Sequence, residues 1–128
     1  MKLYPLIALA MLAACKDETI SGYSTEGASW ALQSIDGVPF KANATISFPE
    51  TGKIAGEAPC NSYFGAQTVP YPWFNAEKIG STRRACADLK SETQFFEALS
   101  DMTLSESVGD TLILSNDKGR EMLFKVVN

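Results

Sequence analysis

Ala44-Thr45-Ile46-Ser47-Phe48-Pro49-Glu50-Thr51-Gly52-Lys53-Ile54-Ala55-Gly56-Glu57 carries the clearest structural signal in this chain. Ile46 and Phe48 alternate with Thr45 and Ser47, the period-two pattern of a half-buried strand. Pro49 to Gly52 supplies turn chemistry and Lys53 to Glu57 a second short run, so the stretch is expected to fold as an antiparallel hairpin. The same pattern extends both ways. Upstream, Trp30-Ala31-Leu32-Gln33 reads as a first strand, and Asp36-Gly37 as a tight turn into Val38-Pro39-Phe40. Downstream, Thr111 to Ser115, a turn at Asn116-Asp117-Lys118-Gly119, and Met122 to Val127 form a closing hairpin.

Between these hairpins the signals change. Pro70 and Pro72 cannot donate ladder hydrogen bonds, which demotes Val69 to Trp73 to an edge or loop. Phe74 to Ile79 can resume a strand. Asp88 to Gln94 then offers helix-start chemistry, with Ser91 and Gln94 at capping-box spacing. Phe95, Phe96, Leu99 and Met102 follow at helical intervals, so one amphipathic helix of about ten to twelve residues should end near Asp101 or Met102. The expected fold is α+β, a small antiparallel sheet packed with one helix in a single domain. Trp30, Phe48, Phe96, Leu99 and Phe124 are its core candidates. No internal repeat or low-complexity tract is evident.

The N-terminus has a different character. Residues 1–14 hold one basic residue, Lys2, then a short apolar run and small residues before Cys15, the layout of a secretory signal. The run is too short to span a bilayer of about 30 Å as a helix. Leu12-Ala13-Ala14-Cys15 resembles a lipobox, the bacterial signal in which the cysteine is acylated and cleavage falls just before it. That resemblance implies a membrane tether through lipid on Cys15, durable because each buried methylene contributes about 0.8 kcal/mol and more than one chain is attached. Enterobacterial lipoproteins retained at the inner membrane carry aspartate directly after the cysteine. Lys16 stands there in this chain, so the outer membrane, facing the periplasm, is the expected destination. Residues 15–28 have the Ser/Gly-rich composition of a flexible tether, and 29–128 form the domain.

The chain has 128 residues and a net charge of −4. Loss of Lys2 with the leader makes it one unit more acidic, which argues against nucleic acid, whose binders carry a basic footprint. Lipidation of Cys15 leaves Cys60 and Cys86, about 26 residues apart, and in an oxidising compartment a structural disulfide is their default fate. A redox pair or a metal site is the rival account. The spacing is far from C-x-x-C, and the chain has no histidine to complete a zinc set.

The absence of histidine also removes Ser-His-Asp and Cys-His catalysis. Ser115 to Lys118 matches S-x-x-K literally but falls on a predicted hairpin turn. Asp88 and Glu92 are best read as acidic residues complementing a helix N-terminus rather than as paired catalytic carboxylates. Asn61 is expected to satisfy a tight turn. Arg83 and Arg84 could dock an anionic partner, although the simpler expectation is one solvated side chain and one paired with a carboxylate. Tyr71 and Trp73, between and beyond the prolines, are candidates for an exposed contact patch.

Three stretches together resemble the META domain, the family that includes the heat-shock lipoprotein HslJ. Trp30-Ala31-Leu32 with Gly37-Val38-Pro39 resembles its W-x-L opening and G-x-P turn. Gly56 ahead of Cys60-Asn61-Ser62-Tyr63-Phe64-Gly65 resembles C-N-x-[YF]-x-G. Ile79, Thr82-Arg83-Arg84-Ala85-Cys86 and Glu92 resemble the T-R-x-x-C segment that leads into a helix. Pro59, directly before Cys60, departs from the small or flexible residue the family often has there. The resemblance spans about residues 29 to 127 and implies a small antiparallel sheet with a helix, the family-motif residues being Asn61, Tyr63, Gly65, Thr82 and Arg83. It implies links to envelope stress, motility and secretion, and novobiocin resistance, but no shared molecular activity. The expected protein is a monomeric, non-enzymatic envelope lipoprotein without cofactor or metal, acting through contacts with another envelope protein. The alternative is an inhibitor of a lysozyme or protease that uses the loop Val69 to Phe74 as its probe.

Overall fold

A computed structural model describes residues 17–127. Cys15 and the leader lie outside the described residues. The chain forms strands β1 (Ser29–Ile35), β2 (Val38–Pro39), β3 (Thr45–Ser47), β4 (Lys53–Glu57), β5 (Ser62–Ala66) and β6 (Glu77–Ser81). Helix α1 (Leu89–Asp101) follows, and β7 (Leu104–Val108), β8 (Thr111–Ser115) and β9 (Glu121–Val127) close the domain. All pairings are antiparallel, in the order β6-β5-β4-β3-β1-β9-β8-β7, with β2 paired to β1. The fold is α+β, one helix packed against one antiparallel sheet.

Alternation along each strand decides what is buried. Trp30, Leu32 and Ile35 of β1, Ile46 of β3, Ile54 of β4, Leu112 and Leu114 of β8, and Met122 and Phe124 of β9 point into one core. The helix adds Phe95, Ala98 and Leu99, followed by Met102 at its C-cap, the i, i+3, i+4, i+7 spacing of a single face. Of the core candidates read from sequence, Trp30, Leu99 and Phe124 are buried, whereas Phe48 and Phe96 pack partly exposed against them. The hairpin β1–β2 turns through Asp36 (φ 52°) and Gly37 (φ 79°), both left-handed as a type I′ turn requires.

Three expectations need correction. The helix starts at Leu89, with Asp88 at the N-cap and no side-chain cap bond, so Ser91 and Gln94 form no capping box. Leu89 N–H already donates to the Cys86 carbonyl, and the chain enters the helix directly from the bridged cysteine. Phe74 is not a strand residue: it turns into the core while its N–H donates to the Thr103 carbonyl, and β6 begins only at Glu77. Nor is the stretch from Asp17 to Ala28 a free tether. Ile20, in a 3₁₀ turn Ile20–Gly22, is 1% exposed, and Tyr23 stacks on Tyr71 with ring centroids 4.4 Å apart. An isoleucine that finds a vacant place in the core outweighs the Ser/Gly composition around it.

The sheet has two distinct ends. Ser29 pairs with both Ser47 and Val127, so the β3–β4 turn, the β7–β8 turn and the end of β9 share an end with the N-terminal segment. Ile35 and Asp36 mark the other end, where α1 lies beside the β8–β9 turn and the β4–β5 loop.

Candidate functional site

The motif residues converge on that helical end. Cys60, after β4, is bonded to Cys86, before α1, with Cα atoms 5.7 Å apart, the disulfide anticipated from the cysteine count. Beside it Asn61 is 5% exposed and uses its whole amide. Its Oδ1 accepts from Thr82 Oγ1 at 2.9 Å and from the Arg84 N–H at 2.6 Å. Its Nδ2 donates to the Arg84 carbonyl at 3.0 Å and to Glu92 Oε2 at 2.7 Å. An amide offers two donors and two acceptor sites, so none is left for a ligand. Glu92, 6% exposed, accepts from the Cys60 N–H through Oε1 at 2.8 Å.

These contacts revise two expectations. The Asn61 side chain satisfies no local turn; it binds groups 21 to 31 residues away. Glu92 lies in the first turn of α1 yet faces inward, its oxygens held by two donors of the β4–β5 loop, so it works as a buried tie rather than a solvated dipole complement. Helical periodicity could have found it: Glu92, Phe95 and Leu99 share one face, and an acidic residue on an apolar face requires donors. The Asp88 side chain is exposed and takes no part. Arg83 and Arg84 are exposed, and among the described residues neither forms an ion pair with a carboxylate; Arg84 instead reaches the Cys60 carbonyl at 3.4 Å. Both line an open depression of about 330 Å³ beside Thr82 and Leu89.

Tyr63 and the two nearby glycines bring β3, β4, β5 and β6 into close contact. Tyr63 is buried, meets Phe95 and Phe96 edge-on, and donates its hydroxyl to the Thr45 carbonyl at 2.6 Å. Burial, reinforced by the Glu57 charge, pushes its phenol well above the ordinary range. A Cβ on Gly56 would lie 2.2 Å from the Thr45 oxygen, and one on Gly65 2.5 Å from Ile79 Cδ1 and 3.0 Å from the Glu77 oxygen. Only glycine fits at position 56, where the obstacle is backbone; at position 65 a Cβ would require the Ile79 side chain to move.

The loop Val69 to Phe74 is pinned on both sides. Tyr71 N–H donates to the Glu18 carbonyl at 2.7 Å, and its hydroxyl accepts from the Ser107 N–H at 3.1 Å. Pro72 carbonyl accepts from Ser105 N–H at 2.7 Å, and Trp73 forms a bridge with Leu104. The loop therefore covers the β7 edge. Tyr71 is half-buried by these contacts and drops out of the expected contact patch, leaving Trp73, 57% exposed. Composition alone did not mark Arg120, whose guanidinium pairs with Asp36 at 3.0 Å, Glu97 at 3.1 Å and Asp101 at 3.5 Å. Ser115 to Lys118 sits at the β8–β9 turn, organised by Asn116 Oδ1, which accepts from the Lys118 and Arg120 N–H groups. Among the described residues there is no cluster of three or more metal-ligating side chains and no helix long and apolar enough to cross a membrane.

A single antiparallel sheet with one helix, locked by a disulfide and an asparagine–glutamate tie, defines a class of small α+β domains. Residues 24–128 match the META domain, and the chain belongs to that family. Its fold is similar to that of a protein from Burkholderia xenovorans solved by NMR, at TM-score 0.62 and 20% identity over 100% of this chain and 94% of that one. A second NMR structure is similar at TM-score 0.59 and 24% identity, over 77% and 87%. The crystal structure of a DUF4847 family protein from Bacteroides vulgatus is similar at TM-score 0.59 and 13% identity, over 89% and 96%. No curated protein matches the sequence.

Proposed function

We propose that this chain is a non-enzymatic, HslJ-like envelope lipoprotein, cleaved before Cys15 and anchored there by lipid. Its META domain supports envelope stress tolerance by contacting another envelope protein. The observation that carries this reading is the mutual satisfaction of the motif: Thr82 and Glu92 each bond to Asn61, and all three bond to the backbone around the disulfide. Their polarity goes into joining two loops to a helix. Recognition then falls to the exposed surface, where Trp73 stands on a loop already held in place. A pre-ordered aromatic loses little conformational freedom on binding. The same feature favours the second reading, a loop-type inhibitor of a lysozyme or protease.

A photocrosslinking residue at position 73 in the cell envelope tests the contact. The first reading expects one dominant envelope protein captured there and not from Asp117; equal capture from both positions would sink it. Slowing of a lysozyme or protease by the purified domain, abolished in Trp73→Ala, would favour the second. Anchoring is tested by incorporation of labelled palmitate, expected in the native chain and lost in Cys15→Ser.

A further inference from the structure

The end of the domain that carries the β3–β4 and β7–β8 turns is where the N-terminal segment enters. Asp17 is fixed there: its carboxylate accepts from the Thr19 N–H at 2.9 Å, Thr19 Oγ1 at 2.6 Å, Thr51 Oγ1 at 3.0 Å, and Ser21 Oγ. Thr51 lies in the β3–β4 turn, so these bonds tie the start of the fold to that end of the sheet. Only Lys16 separates Asp17 from Cys15. Two peptide units span at most about 7 Å between Cα atoms, whatever their conformation.

We infer that this end rests on the bilayer, so that the lipid on Cys15 does not merely tether the domain but orients it, with α1 and the disulfide pointing away. The inference depends on the lipid-anchor reading above. Exposed apolar side chains occur at both ends and do not choose between them, since Val38 and Leu89 at the helical end are 64% and 44% exposed. Val108 beside the β7–β8 turn is 62% exposed, and Val127 at the end of β9 is 42% exposed. Ser29 pairs with Val127, and Val126 N–H donates to the Asp110 carbonyl, which places both valines at the Asp17 end of the sheet. Apolar side chains at strand ends facing a headgroup layer lose less by exposure than they would in water. Charge does not favour this end, because the exposed Arg83 and Arg84 lie at the opposite one. The groove at this end, about 580 Å³, is lined by Asp17, Glu26 and Glu50 together with hydroxyls and holds no lysine or arginine. The short link, not apolar surface or a basic patch, sets the orientation.

The opposite end is about 20 Å away, the length of the seven-residue strand β1 at roughly 3.3 Å per residue. Quenching by lipid headgroups can resolve that difference. Full-length lipidated protein is placed in vesicles of phosphatidylethanolamine and phosphatidylglycerol containing a nitroxide headgroup lipid. A fluorophore is attached through a non-canonical residue at position 108 or 117. Both sites are exposed, so the label leaves the core intact. The expected result is quenching at least about threefold stronger at 108 than at 117, falling towards equality when a flexible Gly/Ser segment of about ten residues, with a root-mean-square reach of about 15–20 Å, is inserted between residues 16 and 17. Equal quenching in the uninterrupted chain overturns the orientation. A ratio unchanged by the insertion overturns the short link as its cause. The mass of the same sample reports the lipid on Cys15 directly; its absence would overturn the anchor and the orientation with it, whereas lipidated protein with equal quenching sinks the orientation alone.

Discussion

Asn61 donates from Nδ2 to Glu92 Oε2 at 2.7 Å, across 31 residues of sequence, inside a region where both side chains are nearly inaccessible. The same carboxylate accepts the Cys60 N–H, so one acidic side chain fixes both the amide next to the disulfide and the backbone of the bridged cysteine.

Removal of that carboxylate should be costly. Glu92→Ala leaves the Cys60 N–H and one Asn61 donor buried without partners, and each such group costs about 1–3 kcal/mol. Urea denaturation is expected to show a loss of about 2–4 kcal/mol. Asn61→Ala should lose a similar amount, and the double variant less than the sum, because contacting residues couple by about 0.5–3 kcal/mol. Simple additivity would show that the two residues act separately.

The disulfide and this tie fasten the same loops. Cys60→Ala with Cys86→Ala, closing a 26-residue separation no longer, is expected to lower stability by about 3–4 kcal/mol on the loop-entropy account. The thermal midpoint of oxidised and reduced native protein reads the same difference. No change on reduction would mean that Asn61 and Glu92 alone hold the loops together.

Gly56→Ala is expected to destabilise the domain by about 2 kcal/mol or more, since over-packing a tight contact costs roughly 1–3 kcal/mol. The added methyl meets the Thr45 oxygen at 2.2 Å and the Tyr63 hydroxyl at 2.9 Å. Tyr63→Phe removes only the second contact, so it should not restore stability in the double variant. Rescue would show that the hydroxyl, not the backbone, is the obstacle.

Acid should loosen the N-terminal segment first. Desolvation alone would raise the Asp17 carboxyl, but hydrogen bonds from Ser21, Thr19 and Thr51 outweigh it and hold it at about 2. A carboxyl depressed below its unfolded value of about 3.9 contributes stability that is present above that value and lost as pH falls through the folded one. Hydrogen exchange at the Thr19 amide should therefore accelerate as pH drops from about 4 to about 2, after correction for intrinsic rates. Asp17→Asn should exchange faster at neutral pH and show little of this acid step. Asp36, lowered by the Glu121 N–H and the Arg120 guanidinium, adds a loss of the same sign at the far end.

Period-two patterning reveals most of the sheet, because a strand with one buried face writes that face into alternate residues. The hairpins at Ile46 and Ile113 are legible for that reason. Ile20 was obscured because a single buried residue has no period, and Glu92 because a carboxylate at a helix start has a local explanation that conceals its tertiary one. Tyr71 could not be placed from sequence either: its burial depends on Tyr23 and Ser107, which adjoin it only in space.

By itself the sequence determined the α+β class, the helix and most strands, though not β5 or β7, and made the pairing of Cys60 with Cys86 the expected one, because these follow from periodicity, turn chemistry and cysteine usage. Tertiary structure alone decided that Asn61 and Glu92 face each other, that the segment after Asp17 belongs to the fold, and that the Asp17 end is opposite the helix. Those facts depend on where distant segments meet. A buried polar group is defined by its partners, and the partners of Asn61 lie more than twenty residues away.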